Sequence, residues 1–227
     1  MITVDGIYKG TISTIFDYEA GFRRVVEHVL DVHKVHNPHM MAGIKDNDFS
    51  EQRINVFADV LKSRGITFDC GNMVSYGDFW ADPAARATEK LIAENRVPEA
   101  IICANDSMAL AVTDTLISGG YKVPEDVIVT GFDGIDEIKL SSPKITSCIC
   151  SYDKIAKKIS DIIGECLNGG YKEEIFRIPA TLILSESCGC NKEKTINAQR
   201  ELFELSNRFY RYQDEEYSMY ELVAQTI

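Results

Sequence analysis

The stretch from Pro98 to Asp133 constrains the fold more than any other part of the chain. Ala100-Ile101-Ile102-Cys103-Ala104 is an apolar run of strand length, followed by Asn105-Asp106-Ser107 and an amphipathic stretch through Met108, Val112 and Leu116 that stops at Gly119-Gly120. Val127-Ile128-Val129-Thr130 repeats the strand pattern before Gly131-Phe132-Asp133. Strand, helix, strand in this order is a βαβ unit, whose right-handed crossover leaves both strands parallel and brings the residues past their carboxyl ends to one edge of the sheet. The chain is therefore expected to be an α/β protein with a mostly parallel sheet.

The same alternation runs through most of the sequence. Phe22, Val25, Val26, Val29 and Leu30 fall at helical spacing and predict a helix over Ala20 to Val32 with one buried face. Ser50 is placed to cap a helix that buries Ile54, Phe57, Ala58 and Leu61 and stops at Gly65. Asp82-Pro83 reads as cap and first turn of a helix burying Ala87, Leu91 and Ile92. Ile145 to Ile149 predicts a strand, Ser151 caps a helix carrying Ile155, Ile159, Ile162, Ile163 and Leu167 as far as Gly169-Gly170, and Phe176 to Leu184 predicts a final strand. Residues 194 to 227 hold no Gly or Pro, and Ala198, Leu205, Tyr212 and Met219 repeat every seven residues, as do Leu202, Phe209, Glu216 and Val223. That pattern fits a C-terminal helix packed on the body or a dimeric coiled coil.

Composition narrows the function classes. The 227 residues carry 24 basic and 35 acidic side chains, a net charge of -11, which repels phosphate backbones; without a local basic patch, direct nucleic-acid binding is not expected. No apolar run approaches the roughly 20 residues that cross a bilayer, and the N-terminus lacks a signal-peptide core, so a cytoplasmic location is the default expectation. Seven cysteines, an odd number, are spread through apolar segments and read as reduced thiols. Cys148/Cys150 and Cys188/Cys190 are the one suggestive arrangement; four thiolates could hold zinc, but the Cys-x-x-Cys knuckle is absent, and buried structural cysteines with no metal are the preferred reading. His33, His36 and His39 are spaced by three, yet Pro38 interrupts any helix there, and a polar surface connection is expected.

A parallel sheet binds ligands beyond its strand ends, and that edge collects Asn105, Asp106 and Asp133. Phe79 and Trp80 are candidates for an aromatic wall and Arg53 for a bidentate donor. Together these suit a polyhydroxylated or heterocyclic ligand. The plainer alternative is that Asn105, Asp106 and Asp82 only cap helices, Phe79 and Trp80 only fill core, and Arg53 is solvated.

The order and wording of several motifs favour the first reading. Phe16-Asp17-Tyr18-Glu19-Ala20-Gly21, Arg53 through Phe57, Gly77-Asp78-Phe79, Ala104-Asn105-Asp106-Ser107-Met108-Ala109-Leu110, Val123-Pro124-Glu125-Asp126-Val127, Gly131-Phe132-Asp133 and Ser185-Glu186-Ser187-Cys188-Gly189 occur in sequence. Residues 16 to 190 so resemble the ligand-sensing domain of LacI/GalR-type transcriptional regulators, which have the type I periplasmic-binding-protein fold, a parallel-sheet α/β sandwich. The resemblance implies a two-lobed sensor closing on a sugar or nucleobase-like effector. It matches Asp17 to the acidic position at the lobe crossing, Arg53 to the effector-binding arginine and Phe79 to the stacking aromatic. Asn105 or Asp106, with Asp133, match the polar effector contacts; Trp80 has no family counterpart.

By that alignment residues 18–148 and 180–190 form the C-terminal lobe, 1–17 and 149–179 a partial N-terminal lobe lacking the DNA-reading helix-turn-helix, and 191–227 a helix suited to a signalling linker. The expected function is a non-enzymatic small-molecule sensor, with no cofactor and a homodimeric assembly. A transport-type solute-binding protein and the input half of a diguanylate cyclase or kinase are the alternatives. An enzyme is disfavoured because the chain has no Gly-rich phosphate loop, Gly-x-Ser-x-Gly elbow or His-Glu-x-x-His motif.

Overall fold

The structure, a computed structural model, describes residues 1–169 and 173–190. The chain divides into two compact units, Met1–Asn191 and Lys192–Ile227, and the described residues all belong to the first. The heptad of residues 198–223 lies outside the described residues.

The strands are β1 (Ile2–Val4), β2 (Ile12–Asp17), β3 (Pro38–Ala42), β4 (Val74–Tyr76), β5 (Ala100–Cys103), β6 (Ile128–Asp133), β7 (Thr146–Ile149), β8 (Glu174–Pro179) and β9 (Thr181–Ile183). The α-helices are α1 (Tyr18–Val32), α2 (Asp48–Ser63), α3 (Cys70–Met73), α4 (Ala81–Ala93), α5 (Asp106–Ser118) and α6 (Tyr152–Leu167). Two sheets result. One has three strands in the order β1-β2-β8, all parallel; the other has six in the order β4-β3-β5-β6-β7-β9, parallel except for β9. The expected βαβ unit is there, with Ala100, Ile101 and Ile102 of β5 registered against Ile128, Val129 and Thr130 of β6.

Every residue of β5 is fully buried, which requires helices on both faces of the larger sheet. α1 packs with α2 as one layer and α4 with α5 as another. The α1 face predicted from spacing is the buried one: Phe22, Val25, Val26 and Val29 are inaccessible to solvent and Leu30 nearly so. Each such large apolar side chain contributes about 1.5–3 kcal/mol of transfer free energy.

Several boundaries depart from expectation for identifiable reasons. α2 starts earlier, because Asn47 caps it by accepting a hydrogen bond from the Phe49 amide at 3.0 Å, whereas Ser50 is buried inside the helix. α4 is entered through Trp80, with Asp82 in its first turn. The segment expected to be a polar connection holds β3, where Pro38 takes the first strand position and His39, 4% exposed, shares a hydrogen bond with Ser75 across to β4. The single strand expected over 176–184 is two, since the chain leaves the small sheet at Pro179 and joins the large one at Thr181. α6 follows Ser151 as expected but buries only Ile155 and Ile162, while Leu167 is exposed. No helix among the described residues is long and apolar enough to cross a membrane.

Candidate ligand cleft at the carboxyl edge of the sheet

Arg53 is the centre of the site. It lies one and a half turns into α2, an amphipathic helix whose other inward positions are apolar except for Ser50, and only 5% of it is exposed. Its guanidinium carbon sits 4.9 Å from the ring centre of Phe132, 5.6 Å from that of Tyr18 and 5.9 Å from that of Phe79. Such faces attract a cation, but they do not replace the hydrogen bonds it loses on leaving water. Nη1 donates to the Phe49 carbonyl at 3.3 Å, and Nε is buried without a hydrogen-bond partner. Burial pulls the arginine below its ordinary value, while Asp133 nearby favours the charged form.

Asp133 ends β6 with φ at +103°, a conformation in which a short polar side chain is better tolerated than a branched one. Burial pushes its carboxyl up to about 7; Arg53 opposes this, and Asp106 and Asp5 add to it. The nearby thiol, Cys150, is pushed up to about 12 by burial and then by Asp133, so it is protonated at neutral pH and a poor nucleophile.

Phe79 is held in place by its loop. Asp78 and Phe79 both have positive φ, +53° and +64°, a conformation that costs a bulky residue on the order of 1 kcal/mol or more. The surroundings impose it. Asn105 donates from Nδ2 to the Phe79 carbonyl at 3.0 Å, and a Cβ placed on Gly43 would collide with the Phe79 ring. The ring can therefore lie flat on this stretch of backbone only because residue 43 is glycine.

Of the two roles considered for Asn105, capping is visible: its Oδ1 accepts from the Met108 amide at 3.0 Å at the start of α5. Asp106 is fully buried behind the edge, where Oδ2 accepts from Gly134 N at 2.5 Å and Ile135 N at 3.0 Å. Burial raises it to about 6 in spite of those donors. It shapes the turn that follows Asp133. Asp17 caps α1 through the Ala20 amide at 3.2 Å. Trp80 is 69% exposed and makes no ring contact among the described residues. The structure thus brings Arg53, Phe79 and Asp133 together, puts Asn105 and Asp106 behind them as supports, and leaves Trp80 outside the cluster.

Tyr18 and Phe132 belong to the cluster but were not singled out in the sequence. Each adjoins a residue that was, Asp17 and Asp133, at the carboxyl end of a strand. Tyr18 also connects the cluster to an open cleft of about 330 Å³ between the small sheet and the start of α2, lined by Asp5, Ile7, Phe16, Tyr18, Phe49 and Arg177 among others. That volume is at the lower end of the roughly 300–1,000 Å³ of small-molecule sites. Tyr18 donates to Asp5 Oδ2 at 2.7 Å, and burial with this bond raises its phenol far above the ordinary value. Phe49, half exposed, packs edge-on against it at 6.2 Å.

The fold has counterparts among known proteins. Residues 19–188 match the family described as "Periplasmic binding protein-like domain". The repressor PurR of Photobacterium profundum is 28% identical over 165 residues, 70% of this chain and 49% of that protein. The regulator CelR of Thermobifida fusca is 25% identical over 188 residues, 83% of this chain and 51% of that one. The chain spans about half the length of these relatives. Among solved structures, a CelR–cellobiose complex superposes with a TM-score of 0.69 at 22% identity, covering 82% of this chain and 58% of that one. The Escherichia coli repressor ascG does so with a TM-score of 0.70 at 21% identity, covering 81% and 70%. With three quarters of its length matched by the family and HTH-type transcriptional regulators among its relatives, the chain belongs to the periplasmic binding protein-like family.

Proposed function

We propose that the chain is the effector-sensing domain of a LacI-type regulator, a non-enzymatic module that binds a sugar or nucleobase-like molecule at the carboxyl edge of the larger sheet. The observation that carries this reading is Arg53, a buried guanidinium among three aromatic rings with its Nε unpaired. Leaving such a donor unpaired costs about 1–3 kcal/mol. A ligand oxygen or ring nitrogen recovers that energy, while the faces of Tyr18 and Phe79 stack on a sugar ring or a base. Asp133, poised near 7, accepts from a hydroxyl or ring N–H when ionised and donates when protonated. Solved structures in the same fold family include regulators with cellobiose and with lactose, in line with a polyhydroxylated ligand.

In this reading residues 1–17 and 149–179, the small sheet with α6, act as a partial N-terminal lobe, and 18–148 with 180–190 as the C-terminal lobe. Effector favours the closed relation between them by binding it more tightly than the open one. The module works in the cytoplasm as a homodimer and leaves nucleic-acid contact to other segments.

The test is a thermal-shift screen of the purified chain with mono- and disaccharides, nucleosides and nucleobases, run beside Arg53→Met. A ligand at a hundred times its dissociation constant stabilises the fold by about 2.7 kcal/mol. A hit seen with the parent and lost in a folded Arg53→Met variant is the expected result. A hit that survives the substitution, or no hit across both classes, contradicts the reading.

A further inference from the structure

A second cluster of chemically competent groups lies away from the cleft, where the end of the described chain meets α1. His28 is largely buried on α1, and His33 is the residue that terminates that helix. Cys188 is buried in the 3₁₀ turn Glu186–Cys188, and Cys190 follows two residues on. The ligand atoms of all four lie within 4.8 Å of one another.

Three of the four are spaced slightly tighter than a coordination shell. His28 Nε2 and His33 Nε2 are 3.1 Å apart, Cys190 Sγ is 3.3 Å from His33 Nε2, and it is 3.5 Å from His28 Nε2. Four ligands at Zn–N of about 2.0–2.1 Å and Zn–S of about 2.3 Å in a tetrahedron have edges of roughly 3.3–3.8 Å. Protons alone satisfy this triangle poorly. A neutral imidazole nitrogen carries either one hydrogen or one lone pair. With His28 Nε2 as donor and His33 Nε2 as acceptor, Cys190 Sγ is left to share the His28 hydrogen as a weak acceptor or the His33 lone pair as a weak donor. A single cation accepts all of these lone pairs together.

The supporting groups fit as well. The Thr146 hydroxyl donates to Cys188 Sγ at 3.0 Å and itself accepts from the Ser185 amide at 2.8 Å, an outer contact of the kind that orients and stabilises a metal-bound thiolate. Gly189, with φ at +82°, reverses the chain between the two cysteines so that both reach the same point.

We propose that His28, His33, Cys188 and Cys190 form a tetrahedral site for Zn²⁺ or a similarly thiophilic divalent cation, tying the chain after β9 to the carboxyl end of α1. Binding displaces the thiol protons to solvent as two thiolates and two neutral imidazoles take the metal. The set is neither the four-cysteine nor the His33/His36/His39 grouping that spacing alone suggested. Two ligands lie some 160 residues from the other two, and closing so long a loop is how a metal clip gives the most restraint.

The full chain, reduced and stripped of metal, is titrated with Co²⁺ and then Zn²⁺. The expected result is the intense visible absorption of tetrahedral Co²⁺ with a thiolate charge-transfer band, saturating at one equivalent and bleached by one equivalent of Zn²⁺. Cys190→Ser and His33→Gln each remove a direct ligand at positions that are not fully buried, and each is expected to weaken binding beyond the roughly 10–100-fold typical of outer-shell changes. Cys70→Ser, an exposed cysteine outside the cluster, leaves it unchanged. The proposal is overturned by a weak octahedral spectrum, by binding well below one equivalent, or by folded Cys190→Ser and His33→Gln chains that bind as the parent does.

Discussion

Replacing Asp133 by Asn tests whether the sheet edge is a desolvated site. The carboxyl stands at about 7 in the folded chain against 3.8 ordinarily. Because the folded value is raised, between about pH 4 and 7 the folded chain holds a proton that the unfolded chain has released, and stability falls as pH rises through that window. Each unit corresponds to about 1.4 kcal/mol, so the full cost of ionising Asp133 in place is on the order of 4 kcal/mol. Asp106, raised to about 6 by burial, repels the same charge, so the two titrate as a pair and their costs do not simply add. Asn keeps the shape, tolerates the positive φ and cannot ionise. Urea unfolding followed by circular dichroism at half-unit steps from pH 5 to 8.5 is predicted to show Asp133→Asn gaining on the parent as pH rises, then levelling off above about pH 7.5. A stability difference that stays flat across that range would mean a solvated carboxylate and would refute the reasoning.

Other consequences follow from the same contacts. Arg53→Met removes the cation that holds Asp133 down, so the Asp133 titration observed by NMR moves above its value in the parent chain; a downward move would contradict the assigned pairing. Asp106→Ala strips the acceptor from the Gly134 and Ile135 amides and is expected to cost about 2 kcal/mol in urea unfolding at pH 7, part of the loss being offset by relief of a buried charge. Gly43→Ala pushes on the Phe79 ring and is predicted to weaken effector binding more than it lowers the melting temperature. Trp80→Ser leaves affinity within about twofold, since a side chain 69% exposed has little desolvation to contribute.

The parts of the fold that could be read from the sequence are those where one pattern dominates. α1 and the β5–α5–β6 unit follow from apolar spacing and from Asn105 and Gly119-Gly120 at the ends of α5. β3 was hidden because Pro38 and His39 look like loop residues. Pro38 is tolerated at the first strand position, and His39 is buried at the cost of being pushed down to about 4, chiefly by desolvation. The break between β8 and β9 is marked in the sequence only by Pro179, and a proline that can end a strand does not reveal that the two halves pair with different sheets. Arg53, Phe79 and Asp133 were identifiable through the family motifs, and the structure brings them to one place. Tyr18 and Phe132 were not, since an aromatic beside a strand end serves core and cleft equally well. The His–Cys cluster could not be seen by spacing, because its two halves meet only when the final turn packs on α1.

The central claim is that effector binds at the carboxyl edge of the larger sheet, and hydrogen exchange with and without the ligand found in the screen tests it most directly. Slowed exchange centred on the starts of α1 and α2, the Gly77–Trp80 loop, the start of α5 and the Asp133–Ile135 turn is the predicted footprint. Protection centred elsewhere, for example on the α4–α5 face, with those segments unchanged, would contradict it.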